Sequence, residues 1–410
     1  MLPTMVPVRQ LFRDDAIADL PGAIRDGMRS LDVGSRLRPG AEVAVAVGSR
    51  GVSPLREVVG AILAELRSLG ARPFVVPAMG SHGGGTAEGQ REVLAGYGIS
   101  EAGLGVEVRS SMETVVLGHT AAGVPVHLDA NAAGADGVVV LGRVKPHTGF
   151  RGPVESGLCK MTAVGLGKAE GARAIHAGGL ASTIPAAAAI ATARAPILCG
   201  VALVENAYDR PCRAVVAPPD RFEQTDADLL EVAWTTMPRV PLDAADLLIV
   251  DEMGKNVSGT GMDPNVVGMW RRFGGERRPN FARLVVLGLT EASHGNATGL
   301  GLADFTTRRL VEAVNWRETH LNALTALDPL ICRTPMTLAT DRECVETALE
   351  LLRCATGREP TVVRIKNTLE LERLSVSEGL VDCLPKDGSV ELGEPPRPLA
   401  FDGQGRIRPT

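Results

Sequence analysis

Residues 41–77 read AEVAVAVGSRGVSPLREVVGAILAELRSLGARPFVVP and hold one strand–loop–helix–strand unit. The run 41–47 (AEVAVAV) is almost continuously apolar and of strand length, which predicts a buried strand. Apolar residues then fall at Leu55, Val58, Val59, Ile62, Leu63 and Leu66, a 3.6-residue period, so 54–69 predicts a helix. Pro54 suits its first position, Ser53 its N-cap and Gly70 its stop. Residues 73–77 read as the next strand, and a glycine loop and a helix near 87–95 follow. The run 137–141 (GVVVL) is a further strand, so the pattern predicts an α/β sheet with helices on both faces.

The pattern restarts after a helical stretch at 226–234. Strands are expected at 246–250 (DLLIV), 283–287 (RLVVL) and 360–365 (PTVVRI), and helices at 304–314 and 341–353. A length of 410 residues, at roughly 150 per domain, suits more than one core. The expectation is an α/β chain of two α/β domains with a cleft between them, 1–238 and 239–410. The polar tail 396–410 reads as peripheral.

Composition removes several function classes. Aromatic residues are 3% of the chain, too few for a platform that stacks single-stranded nucleic acid. With 43 basic against 48 acidic residues there is no general positive field to collect phosphates. No run of 18 apolar residues suggests a membrane span, and the opening MLPTMVPVRQLFRDD lacks the layout of a secretory signal. A cytoplasmic protein without nucleic-acid or membrane partners is expected. The seven cysteines form no C-x-x-C pair, which argues against a disulfide framework or a zinc ribbon.

Ligands of open α/β sheets gather at the carboxyl ends of strands, and three polar, glycine-rich loops lie at such ends. The first is Gly48-Ser49-Arg50-Gly51, where Arg50 beside a helix start is either an anion site or a solvated arginine. The second is Gly80-Ser81-His82-Gly83-Gly84-Gly85-Thr86. It lacks the Lys-Ser/Thr of a phosphate loop, and its glycines would let backbone approach a ligand beside His82. The third, 142–179, reads GRVKPHTGFRGPVESGLCKMTAVGLGKAEGARAIHAGG. It holds His147, Lys160 and His176 among Arg143, Lys145, Arg151 and Lys168. Lys160 is either a covalent or Schiff-base lysine or an ordinary exposed one, and His176 falls on a short expected helix, 169–177. His119, His127, His294 and His320 lack such a setting and read as structural. No pair of histidines has the H-x-x-x-H spacing of a helical zinc site.

Gly80-Ser81-His82, Pro146-His147, Ser156-Gly157-Leu158-Cys159-Lys160 and His176 together resemble the nickel-pincer-dependent lactate racemase family. Lys160 and His176 stand 176 − 160 = 16 residues apart, the family's spacing of anchor lysine and metal histidine. The match is close over about 80–180 and looser elsewhere. The resemblance implies a nickel-pincer cofactor, pyridinium-3,5-bisthiocarboxylic acid mononucleotide carrying nickel. By position, Lys160 would be its covalent anchor through a thioamide and His176 the protein ligand to nickel. His82 and His147 would be the paired acid/base residues, and Arg50 would bind the anionic substrate. In the second domain the segment from Asp263 to Arg271 resembles one with a substrate-side lysine, which makes Arg271, or the competing Lys255, a substrate contact. The reaction implied is inversion at C2 of a 2-hydroxy acid, with cofactor-synthesis enzymes as partners. The first domain would then be the cofactor-binding and catalytic one, and the second would close the substrate cleft.

The chain also departs from the family. It reads Val47-Gly48-Ser49-Arg50, without the aspartate expected before the arginine. The tyrosine–glutamine pair expected near Val267-Gly268 is missing, and the His147–Lys160 gap of 13 is long. These changes fall on the substrate side, so a longer or polyhydroxylated acid is expected in place of lactate. Two other readings remain at this stage: a non-catalytic carrier of the nickel nucleotide, and a Schiff-base lyase using Lys160.

Overall fold

A computed structural model describes residues 2–49, 54–393 and 395–408. The chain forms two compact units, Arg13–Met237 and a second made of Met1–Phe12 with Pro238–Thr410. Both are mixed α/β.

The Arg13–Met237 unit is built on a five-stranded sheet in the order Arg72–Pro77, Glu42–Val47, Gly137–Arg143, Ile197–Glu205, Pro211–Ala217. The first four strands are parallel and the last is antiparallel. Side chains alternate across a strand, so the run EVAVAV splits between two cores. Val43, Val45 and Val47 enter one core, and Ala44 and Ala46 enter the other. This burial on both faces is the reason the strand lacks polar alternation. The helix Leu55–Ser68 lays all six of its periodic apolar residues on the first core. Pro54 stands just before it, and Ser53 lies outside the described residues. The opposite core is closed by the helices Leu180–Arg194 and Phe222–Thr236 and by Leu158 and Cys159, which immediately precede Lys160.

The second unit has a sheet running Met336–Leu338, Phe305–Thr307, Asn280–Val286, Ala244–Val250, Val362–Ile365, Arg373–Ser377, Thr4–Gln10, Val390–Leu392. The first five strands are parallel and the rest antiparallel. Three sequence expectations change here. Residues 1–12 do not belong with the first domain, because Thr4–Gln10 pairs with Arg373–Ser377. The segment 304–314 is not one helix. Phe305–Thr307 is a buried strand, and Thr307 then caps the helix Arg308–Glu312. The tail is not peripheral: Leu399 and Phe401 enter a core cluster, and Arg397–Pro398 pairs with the first strand. Among the described residues no helix is long and apolar enough to cross a membrane.

Candidate functional site

Glu42–Val47, Arg72–Pro77 and Gly137–Arg143 are adjacent and parallel, so the loops that follow them leave the same edge of the sheet. Of the first loop, Gly48 and Ser49 are described, and Arg50 lies outside the described residues. The Ser49 hydroxyl is in close contact with His82 Nδ1, which joins the first loop to the second.

His82 is exposed and has extended backbone. Gly83 follows at φ +65°, where a Cβ would lie 2.7 Å from the Gln90 backbone nitrogen, so only glycine fits. Gln90, on the helix Ala87–Gly96, is fully buried and donates its amide to Gly80 O at 2.9 Å and His82 O at 3.2 Å. The histidine is therefore carried by a loop whose carbonyls are tied down from beneath.

In the third loop Glu155 is buried and organises the turn around His147. It accepts the His147 N–H at 2.7 Å and the Gly152 N–H at 3.3 Å. Burial raises its pKa, and the His147 bond and the Arg151 charge oppose that shift. His147 Nδ1 accepts the Gly149 N–H at 2.9 Å, and its ring packs on Phe150 with centroids 4.4 Å apart. An acceptor at Nδ1 puts the proton of the neutral ring on Nε2.

The Lys160 turn is held from outside the loop. Asp226, on the helix Phe222–Thr236, accepts the N–H groups of Leu158 at 2.8 Å and Cys159 at 2.7 Å. Gly157 is at φ +87°, and a Cβ there would sit 2.1 Å from Asp226 Oδ1. Burial raises the Asp226 carboxyl to about 7, against those two bonds. A raised folded-state pKa favours the folded protein at low pH, so this group's contribution is lost as pH rises from about 4 to about 7. Thermal unfolding of Asp226→Asn is therefore expected to lack that part of the wild-type decline. Parallel stability curves for the two proteins across this range would contradict the assignment.

After Lys160 the chain makes a π-helical turn, Met161–Gly165, and then the helix Lys168–Gly178 that carries His176. Single π turns inside helices are frequent at functional sites. His176 is exposed to solvent yet closely surrounded. Partial desolvation first, and the Lys160 ammonium second, hold its pKa below the usual value. The Lys160 charge also acts on Glu155. Lys160, His176 and the His147 turn thus share one electrostatic neighbourhood, and Ser49 and His82 meet at the same sheet edge.

The roles of Lys168, Gln90, Asp129 and Asp226 in this region escape sequence reading. Lys168 is fully buried, at φ +55°, a conformation unusual for a side-chain-bearing residue. Its ammonium donates to Pro77 O at 2.5 Å and Gln90 Oε1 at 3.1 Å, and pairs with Asp129 Oδ2 at 3.0 Å. Burial lowers its pKa and Asp129 opposes the shift. The only outward sign of this in the sequence is a lone lysine between glycine and alanine in GLGKAEGA.

The two substrate-side candidates lie in the other unit. The Arg271 side chain is 5% exposed. Its guanidinium binds Asp304 at 2.9 Å, Leu302 O at 3.1 Å and Phe281 O at 2.6 Å. These contacts hold the guanidinium within its own unit. Lys255 donates to Gly259 O and Asn322 Oδ1, both at 2.7 Å.

Residues 13–183 match the model of the lactate racemase N-terminal domain. The structure is similar to that of the lactate racemase apoprotein from Thermoanaerobacterium thermosaccharolyticum, with a TM-score of 0.53 and 12% identity over 89% of this chain and 99% of that one. At this identity the likeness shows a shared fold. A comparison with curated proteins finds no match.

Proposed function

We propose that this chain, whose residues 13–183 match the lactate racemase N-terminal domain, is a lactate racemase-like racemase or epimerase that inverts C2 of a 2-hydroxy acid. The observation that carries the reading is the placement of Lys160 and His176 in one electrostatic neighbourhood, on the sheet edge that also bears the His82 and His147 loops.

The donor set fits a nickel-pincer nucleotide. Among the described residues no three His, Cys, Asp or Glu side chains are grouped to hold a metal ion. A nickel ion here would draw its other donors from the organic group, and soft sulfur with imidazole suits nickel. His176 is exposed and biased toward the neutral, ligating form. Lys160, half-buried, would be the covalent anchor, and forming a thioamide would remove the charge that now acts on His176. When bound, the group would supply a hydride acceptor for the C2 hydrogen.

The remaining work falls to the protein's own side chains. A carboxylate makes the neighbouring C–H poorly acidic, so the hydroxyl proton must leave as the hydrogen leaves with its electron pair. Ser49 holds His82 through Nδ1, so proton transfer there falls to Nε2. His147 rests with its proton on Nε2 because Gly149 occupies Nδ1. His82 and His147 are assigned as the paired acid/base residues, one taking the hydroxyl proton and the other returning a proton to the oxygen of the inverted product. Arg50, from the first loop, is proposed to clamp the carboxylate through its guanidinium fork.

The substrate is proposed to be longer or more hydroxylated than lactate, because the departures from the family, the missing aspartate in Val47-Gly48-Ser49-Arg50 and the missing tyrosine–glutamine pair near Val267-Gly268, fall where the resemblance puts substrate contacts. Cofactor-loaded enzyme is to be incubated with lactate, malate, phenyllactate and gluconate, with C2 stereochemistry followed by chiral chromatography. Faster inversion of the longer acids is expected. Lactate turning over fastest would overturn the specificity, and no inversion of any acid would overturn the function.

A further inference from the structure

The buried lysine of this unit has no part in the chemistry above, yet it touches three separate segments. Lys168 Nζ reaches Pro77 O at the end of a sheet strand, Gln90 on the helix Ala87–Gly96, and Asp129 at the end of the hairpin strand Pro125–Asp129. It is also the first residue of the helix that carries His176. Its positive φ is a strained backbone state, held in place only where surrounding contacts over-determine it.

Gln90 gives this cluster a direction. Its Oε1 accepts from Lys168, which forces its Nε2 to face Gly80 O and His82 O. An ammonium has only donors, so the amide cannot turn over without placing N–H against N–H. Two further bonds run alongside: Gly80 N–H donates to Gly165 O at 3.1 Å, and Asp129 N–H donates to Leu166 O at 2.7 Å. The loop bearing His82 and the segment running from Lys160 to His176 are thus tied through one buried polar group.

We propose that Lys168, Asp129 and Gln90 form a bracket of positioning residues that sets the His82 loop against the arm carrying Lys160 and His176. The bracket rests on the racemase reading for its purpose. Lys168 orients Gln90, Gln90 fixes the carbonyls on either side of Ser81, and the direction of the His82 imidazole follows from them. A displacement of about 1 Å at a reacting group is enough to cost on the order of 100-fold in rate.

The test uses Gln90→Glu and Gln90→Met in the full chain. Gln90→Glu keeps an acceptor for Lys168 but has no N–H for Gly80 O or His82 O. Gln90→Met removes both halves with little change of volume, and it serves where the added carboxylate prevents folding. Hydrogen exchange of the cofactor-free protein, read by mass spectrometry, is expected to speed up at least about tenfold in 78–86 and stay unchanged in the sheet strands. In loaded enzyme, kcat should fall about 10–100-fold with KM within about twofold, and nickel content and adduct mass should be retained. Unchanged loop exchange would overturn the bracket. So would a uniform rise in exchange with normal kcat, the mark of a general packing role. If wild-type enzyme inverts no 2-hydroxy acid, the function fails separately, and loop exchange still decides whether the bracket exists.

Discussion

Lys160→Ala is expected to abolish the covalent mass increment that the wild-type chain gains when produced with cofactor-synthesis enzymes. Activity should be lost with it. The argument is local: Lys160 opens a π-helical turn whose start is pinned by Asp226, and its charge reaches His176 sixteen residues on. His176→Ala should behave differently. The organic adduct should remain on Lys160, and nickel should be retained poorly, because the imidazole is the one donor this chain is proposed to give the metal. Intact-mass and metal analysis of the two variants separate these outcomes. Nickel-loaded protein with no adduct on Lys160 would defeat the assignment. Borohydride trapping of a keto acid on Lys160, without nickel, would favour a Schiff-base lyase.

His82→Ala and His147→Ala should each slow interconversion by roughly 10²–10⁴-fold, the usual cost of a lost general acid or base. Neither should unfold the protein. His82 is exposed, and Gln90 anchors its loop through the Gly80 and His82 carbonyls, bonds that the substitution leaves in place although it removes the ring's contact with Ser49. The His147 ring packs on Phe150, but the turn itself is held by Glu155 through backbone N–H groups. Measured rates and melting temperatures of both variants check this. A variant with near-normal rate would remove its histidine from the mechanism. A non-catalytic carrier of the nucleotide would tolerate both changes.

Local periodicity carries information where an element is long and its burial pattern regular. The expected helix 341–353 is observed as Asp341–Thr356, and the expected strand 137–141 as Gly137–Arg143. It fails where pairing is distant or an element is short. Nothing in residues 4–10 announces a partner some 365 positions away, and Phe305–Thr307 is too brief to show a period of two. The candidate site divides in the same way. Its histidines and Lys160 stand out because glycine-rich loops at strand ends are conspicuous. Lys168, Gln90, Asp129 and Asp226 do not, because a buried polar residue is recognisable only by partners brought to it by the fold. The surroundings of Arg271 are hidden in the same way, because its ion pair with Asp304 is visible only in three dimensions.

The most direct measurement is the fate of the C2 hydrogen. Cofactor-loaded enzyme is to be incubated in deuterium oxide with one enantiomer of a 2-hydroxy acid that it accepts, and the product examined by NMR and chiral chromatography. Inversion by hydride transfer predicts the opposite enantiomer with its original C2 hydrogen retained, and loss of this activity in Lys160→Ala. Inversion accompanied by deuterium at C2 in step with racemisation would mean proton abstraction from carbon, and would contradict the account.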